Sequence, residues 1–233
     1  RFHDFLLVSE GVFREAEVIA SQAAFEAGLS PEVVYTEPGI MVVRFIEART
    51  YAEADVRGNA GACIDIVKRC HKAMGKRISG RANIFWVFHV LRDYAHTITA
   101  GKHRHVPDIP KWMAEVERLE AAQVPLPIIF GHHDLLPTNF MDDGKRLWLI
   151  DWEYGGFGTA MFDLANIASN NQFTEQAEKD LLTRYFERAP DQALLRTVVQ
   201  IALEPPQGVH LSLASGGTAL SQLAYLLAQS RCL

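Results

Sequence analysis

One short polar segment between two apolar runs constrains the fold of this chain more than any other feature. It extends from residue 131 to 139 and contains Asp134 and Asn139. Two β-prone runs follow, at residues 139–141 and 147–150, and the turn between them has the sequence Asp-Asp-Gly-Lys. These runs predict a hairpin that ends at Asp151. Folding the hairpin brings Asn139 and Asp151 together beside Asp134.

Asp134, Asn139 and Asp151 suit phosphoryl transfer to a hydroxyl group. Magnesium is bound in such sites by one or two carboxylates, and a neutral amide oxygen adds a ligand without adding charge. Asp151 and Asn139 fit this requirement. A further carboxylate must accept a hydrogen bond from the attacking hydroxyl and take its proton, and Asp134 fits that role. The structural alternative is a polar turn beside a hairpin, with no chemistry.

The spacing matches a known catalytic-loop pattern. His132, Asp134, Leu135 and Asn139 are in register with the H-x-D-L-x-x-x-N of kinases, and Asp151 stands where their metal-binding aspartate would be. The segments HHDLLPTNF, LWLIDWEYGGFGTAMFDLANIASNN and FREAEVIASQAAFEAGLSPEVVY resemble the choline/ethanolamine kinases, within the broader aminoglycoside-phosphotransferase-like group. The resemblance covers residues from about 13 to 186.

The resemblance implies an α+β, protein-kinase-like fold and an ATP-dependent, magnesium-dependent kinase acting on choline or ethanolamine. A small β-containing lobe, incomplete in this sequence, would occupy residues 1–47, and a larger, mainly helical lobe would occupy residues 48–233. Carried over by position, Asp134 is the catalytic base and contacts the substrate. Asn139 and Asp151 hold Mg²⁺, and Glu153 is a second metal-site or substrate-facing carboxylate.

The same resemblance assigns residues on either side of this centre. Trp152 and Tyr154, next to the metal-binding aspartate, are the candidates for binding the substrate cation. Glu17, in the first long helix, would pair with a cation that touches the ATP phosphates. Phe45 and Ile46 would belong to the hinge that holds adenine through backbone hydrogen bonds.

Two departures from the family pattern keep other functions open. No Gly-rich loop precedes the first helix, and the first lysine is Lys68. Either residues are missing from the sequence, or the protein is a defective kinase, a pseudokinase-like binding module. In addition, Tyr225 is the only aromatic residue between 204 and 233, which leaves the choline site incomplete unless residues such as Trp86 and Tyr94 complete it. An aminoglycoside phosphotransferase is a further alternative, but the helical half has no acidic run suited to a polycation.

Composition and charge narrow the remaining classes. The chain has 233 residues, 48% of them hydrophobic, and a formal charge of −5, so a folded domain without a nucleic-acid-binding surface is expected. No apolar run approaches the ~20 residues of a membrane span. Three cysteines, an odd number, predict free thiols and a cytoplasmic location. Nothing in the sequence indicates an oligomeric state.

Periodicity and turn residues predict the local elements. A helix is expected over residues 13–27, a hairpin over 33–43, and a helix in which Ile84, Phe88, Leu91 and Ala95 share one face. Further helices are expected at 112–122, 160–169, 174–187 and 191–203. The glycines at 155–158 predict a flexible backbone beside the metal site rather than a phosphate loop. His89, Asp93 and His96 could share a metal ion, although single histidines more often make local hydrogen bonds.

Overall fold

The structure is a computed structural model and describes residues 13–102, 106–121, 123 and 125–190. The helices are α1 (Phe13–Glu26), α2 (Glu53–Gly58), α3 (Ala60–Ala73), α4 (Val87–Ala100), α5 (Ile109–Ala121), α6 (Ala160–Asn170) and α7 (Glu175–Phe186). The strands are β1 (Val33–Glu37), β2 (Ile40–Val43), β3 (Arg49–Thr50), β4 (Asn83–Ile84), β5 (Ile128–Gly131), β6 (Phe140–Asp142), β7 (Leu147–Leu149) and β8 (Gly156–Thr159). Short 3₁₀ turns cover Met74–Lys76, Val106–Asp108 and Pro137–Asn139.

The strands form three small sheets. β1 and β2 make an antiparallel hairpin, whose tight turn includes Gly39 with a φ of 84°. β3, β6 and β7 form an antiparallel sheet in that order. In the third sheet β8 lies in the centre, parallel to β4 and antiparallel to β5. The β6–β7 hairpin and β8 enclose residues 150–155, so both sheets support this loop.

The boundaries of two predicted helices are explained by their terminal residues. α1 buries Ala20 and Ala24, and it ends before Gly28, whose φ of 68° suits glycine at the end of a helix. α7 begins after Thr174, whose hydroxyl oxygen accepts the Ala177 N–H at 3.2 Å. Both helices lie where the sequence predicts them.

The core is built around α3 and α6. α3 is amphipathic: it buries Cys63, Val67 and Cys70, and it packs against α7, β5 and β7. Every residue of α6 from Ala160 to Ala168 is buried. An apolar helix that is buried on all sides provides a rigid support for the loops that pack on it.

Two sequence predictions are wrong. Ile84 lies in β4 and is 82% exposed, and α4 starts only at Val87. The glycine run is ordered structure, because Gly156 and Gly158 lie in β8. A Cβ on Gly158 would lie 2.5 Å from the Phe85 carbonyl oxygen, so the glycines allow the close approach of neighbouring backbone.

The structure does not test some of the sequence predictions. The helix expected at 191–203 and Tyr225 lie outside the described residues. Residues 44–48 connect β2 to β3 without regular structure, and the lobe boundary at residue 47 stays a prediction. Within the described ranges, none of the helices combines the length and apolarity needed to cross a lipid bilayer.

Candidate active site

The β6–β7 hairpin places Asn139 next to the loop that carries Asp151. Phe140 pairs with Leu149, and beyond this pair the Ile150 N–H donates to the Asn139 carbonyl at 3.1 Å. Asp151 follows immediately. This is the arrangement that the hairpin pattern predicts.

Asn139 also contacts Asp134. Its Nδ2 donates to the Asp134 carbonyl oxygen at 2.8 Å and to the Asp134 carboxylate at 3.1 Å. The Asn139 side chain is buried, and these two bonds use its amide nitrogen. Its amide oxygen is therefore left to bind a metal ion. A neutral oxygen of this kind is a suitable ligand for magnesium.

Negative charge accumulates around Asp134. Burial, followed by the charge of Asp151 and a smaller effect of Glu153, raises the pKa of Asp134 to about 7, although the Asn139 hydrogen bond opposes the shift. In the part of the chain that the structure describes, neither Asp134 nor Asp151 forms an ion pair with lysine or arginine. The donor set therefore fits a divalent cation, which would neutralise this charge.

His132 joins the two loops of the site. The His132 ring donates from Nε2 to the Ile150 carbonyl at 2.9 Å and accepts the Asp134 N–H at Nδ1, at 3.2 Å. Burial lowers the pKa of His132, so the ring is neutral. A neutral ring with one donor and one acceptor nitrogen satisfies both contacts.

Asp163 supports this site, although it is not among the site residues predicted from the sequence. It is fully buried in α6, and its carboxylate accepts the backbone N–H groups of His132 at 2.9 Å and His133 at 2.7 Å. It also accepts Nε2 of His71 from α3, at 2.7 Å. One turn further along α6, Asn166 Oδ1 accepts the Leu135 N–H at 2.5 Å. A polar pair at helical spacing in an otherwise apolar helix was the available signal.

Trp152 requires a correction. Its indole is 2% exposed, packs 4.6 Å from the His132 ring and donates its N–H to Ser30 Oγ at 2.7 Å. Asp151 and Glu153, on either side of it, are exposed. Because consecutive side chains of this loop alternate, Trp152 belongs to the core and not to a substrate-binding surface. Tyr154 is partly buried, and its carbonyl lies 3.2 Å from His133 Nδ1.

The remaining candidates lie in three places. Glu17 is partly buried on α1, while Phe45 is 86% exposed and Ile46 partly buried in the segment after β2. The Trp86 N–H donates to Glu120 at 2.8 Å, so this indole is held between α4 and α5. Burial, with the charges of Asp93 and Glu153, raises the pKa of Tyr94 to about 12.

The alternative metal site at the histidines of α4 is not formed. Among the described residues, no group of three or more His, Cys, Asp or Glu side chains is arranged to hold a metal ion, and this includes His89, Asp93 and His96. A magnesium site at Asp151 and Asn139 does not need such a group, because phosphate oxygens and water supply the other ligands.

Comparison with known proteins identifies the family. The sequence profile described as choline/ethanolamine kinase matches residues 6–186. This chain belongs to the choline/ethanolamine kinase family. Protein LicA of Haemophilus influenzae is 27% identical over 177 residues, which cover 74% of this chain and 52% of LicA. The probable ethanolamine kinase of Arabidopsis thaliana is 31% identical over 169 residues, covering 66% of this chain and 44% of the relative.

A solved structure agrees with this assignment. The choline/ethanolamine kinase family protein from Mesorhizobium loti superposes with a TM-score of 0.66 at 28% identity, over 80% of this chain and 64% of that one. The protein-kinase-like α+β fold and the family resemblance are thereby confirmed. The chain spans about half the length of the curated relatives described here.

Proposed function

We propose that this chain catalyses transfer of the γ-phosphate of ATP to the hydroxyl group of choline or ethanolamine, with Mg²⁺. The observation that carries the proposal is the hydrogen-bonded pair of Asp134 and Asn139 beside the loop of Asp151. Family membership supports the reaction class, and the names of relatives support these acceptors.

Asp134 performs the proton transfer in this proposal. Its carboxylate accepts a hydrogen bond from the acceptor hydroxyl and orients the oxygen towards the γ-phosphorus. The O–P bond to the acceptor forms as the bond between the γ-phosphorus and the β–γ bridging oxygen breaks. The hydroxyl proton passes to Asp134 and ADP leaves. The Asn139 amide fixes the Asp134 carboxylate during this step.

Asp151 and Asn139 would hold the magnesium ion. Bound there, magnesium neutralises charge on the phosphate oxygens. Glu153 is exposed on the same loop, and we assign it to the metal or to the acceptor cation. For the nucleotide, we propose that Glu17, Phe45 and Ile46 contribute from the small lobe, residues 1–47, while residues 48–233 carry the catalytic loop.

The acceptor site differs from the sequence expectation because Trp152 lies in the core. Tyr154 and Tyr94 remain as the aromatic candidates, with Glu153 as the carboxylate. A quaternary ammonium depends on aromatic faces, whereas a primary ammonium donates hydrogen bonds to carboxylates. This set therefore serves either amino alcohol, and we rank choline first because two of the three candidates are aromatic.

We propose that the reaction takes place in the cytoplasm. Cys63 and Cys70 are free and buried. Burial raises the pKa of the Cys63 thiol to about 12, so this cysteine stays a protonated, unreactive thiol. Reduced, buried thiols suit a reducing compartment.

The test is ADP release by the full chain with Mg-ATP and choline, ethanolamine or an aminoglycoside, with the phosphorylated product identified by phosphorus NMR. We expect turnover with an amino alcohol, and a tenfold preference in kcat/KM, which corresponds to about 1.4 kcal/mol, would identify the acceptor. A preference for the aminoglycoside would overturn the acceptor. Weak or absent Mg-ATP affinity, together with no turnover of any acceptor, would favour the pseudokinase-like alternative.

A further inference from the structure

We propose that Ser30 is a positioning residue for Asp151 and acts on it through Trp152. Ser30 follows α1 and lies far from Asp151 in sequence. The inference rests on the metal-binding role given to Asp151 in the proposed function. The buried Ser30 hydroxyl would thus affect metal affinity indirectly, by holding Trp152 in place.

The backbone of Asp151 requires outside support. Its φ is 69°, in the left-handed region that residues with a Cβ rarely adopt. The Asp151 side chain is exposed, so packing of that side chain does not hold the conformation. A residue keeps such a conformation only when its neighbours fix it, and these residues cluster at active sites.

The residue before Asp151 is fixed by the catalytic loop. The Ile150 N–H donates to the Asn139 carbonyl at 3.1 Å, and the Ile150 carbonyl accepts from His132 Nε2 at 2.9 Å. Both backbone polar groups of Ile150 are therefore used by residues of the site itself.

The residue after Asp151 is fixed by Ser30. The Trp152 indole N–H donates to Ser30 Oγ at 2.7 Å, and the Ser30 hydroxyl in turn donates to the Leu149 carbonyl. Leu29, next to Ser30, accepts the Leu149 N–H at 2.9 Å through its carbonyl. Ser30 thus bridges residues 149 and 152, which flank the Ile150–Asp151 unit on both sides.

Loss of this hydroxyl would leave two buried groups unsatisfied. Ser30 is 3% exposed and Trp152 2% exposed, so water does not replace the hydroxyl without a local opening. Relief of the unsatisfied Trp152 N–H and Leu149 carbonyl requires the loop to move. Since Asp151 lies between them, its backbone would then shift relative to Asn139, and its carboxylate would move with it.

The experiment compares Ser30→Ala, Trp152→Phe, Ser30→Thr and Asp151→Asn with the unaltered full chain. Mn²⁺ is the probe, and its affinity is measured by electron paramagnetic resonance in the presence of ADP. Trp148→Phe is the matched control, because the Trp148 N–H donates to Asp143 at 2.9 Å in the same hairpin, away from Asp151. Indole N–H signals of the four tryptophans and their hydrogen exchange report the Ser30–Trp152 bond directly.

We expect Ser30→Ala and Trp152→Phe to weaken Mn²⁺ binding about tenfold. Ser30→Thr, which keeps the hydroxyl, should restore affinity to within about twofold, and Trp148→Phe should leave it unchanged. In Ser30→Ala the Trp152 indole proton should exchange faster. Circular dichroism and melting temperature verify folding, and if Ser30→Ala does not fold, Trp152→Phe carries the same comparison.

The outcomes separate this inference from the proposed function. Mn²⁺ affinity that falls in Asp151→Asn but not in Ser30→Ala or Trp152→Phe would overturn the role of Ser30 alone. Affinity unchanged in all variants, including Asp151→Asn, would overturn the metal-binding role of Asp151 and this inference with it. An equal loss in Trp148→Phe would show a general effect on the hairpin and would also overturn the inference.

Discussion

At the scale of single residues, Asp163 holds the backbone of the loop that leads to Asp134. Two backbone N–H groups and one histidine ring point at its buried carboxylate. Burial raises the pKa of a carboxylic acid, but the nearby His133 and His71 outweigh this and hold the pKa of Asp163 below its usual range. Asp163 therefore stays ionised, and the loop that carries Asp134 is fixed through its backbone.

Replacing Asp163 by Asn should destabilise the fold by about 3 kcal/mol. The amide nitrogen of asparagine would face an N–H group whose hydrogen bond the carboxylate now accepts. The free energy of unfolding in urea measures this. Asp180→Asn, an isosteric change at an exposed position of α7, is the control and should shift stability by less than about 0.5 kcal/mol. Equal effects of the two changes would contradict the anchoring role of Asp163.

His133 predicts how stability depends on pH. The ring is buried and stacks on Phe85 with centroids 4.2 Å apart, and this burial lowers the pKa of His133 to about 4. Since an unfolded histidine has a pKa near 6.5, the unfolded chain takes up this proton first as the pH falls. The stabilisation is thus fully present above about pH 6.5 and is lost towards pH 4.

We expect this residue to contribute a loss on the order of 3 kcal/mol between pH 6.5 and pH 4. Urea unfolding at several pH values compares the unaltered chain with His133→Asn, since asparagine tolerates the φ of 64° found here. The variant should show a flatter pH dependence. An unchanged pH dependence would contradict the assignment of the titration to His133.

How far the sequence predicts a residue's place depends on the length of chain between its contacts. Asp134, Asn139 and Asp151 meet through one short hairpin, so their spacing was sufficient to predict that they lie together. His71 reaches Asp163 from another helix, and Ser30 reaches Trp152 from the far end of the chain. Such contacts depend on tertiary packing, which local pattern does not contain.

At the scale of elements, the same distinction separates correct from incorrect predictions. The hairpins over 33–43 and 139–150 carry strong turn residues, and both are present. β4 has only two residues and forms by pairing with β8, so its sequence alone predicts part of the following helix. The glycines of β8 indicated flexibility in isolation, but their role is the close packing that the partner strand imposes.

Gly158→Ala tests that role. The new Cβ would lie 2.5 Å from the Phe85 carbonyl and 3.2 Å from His133 Nε2, so β8 has to shift. We expect a loss of about 2–3 kcal/mol in the free energy of unfolding, in the range known for overpacking. The control is Gly58→Ala in α2, where a Cβ meets nothing within 4 Å, and it should be neutral or stabilise by up to about 1 kcal/mol. If Gly158→Ala is equally well tolerated, the packing role is wrong.

At the scale of the whole molecule, apolar packing connects the elements that build the site. α3 lies at the centre and contacts α7, β5 and β7, and His71 extends from it to Asp163. The ion pairs of Asp65 with Arg184 and Lys68 with Glu187 also join α3 to α7, but both are largely exposed and contribute little. The catalytic loop therefore depends on the buried core of the helical part.

The fold class was predictable at this scale because one motif and its spacing are specific to a family. The nucleotide-binding part was not, since no Gly-rich loop precedes the first helix and the first lysine is Lys68. The chain covers 52% of LicA and 44% of the Arabidopsis relative, so the proposed reaction depends on the residues of the catalytic centre.

The most direct test of that account is the rate of phosphoryl transfer in Asp134→Asn, measured by rapid quench at saturating Mg-ATP and amino alcohol, together with Mg-ATP affinity by calorimetry. Asparagine keeps the shape of the side chain but cannot take the hydroxyl proton. We predict a transfer rate lower by about 10²-fold or more, with Mg-ATP affinity nearly unchanged. A near-normal rate would contradict the assignment of Asp134 as the catalytic base.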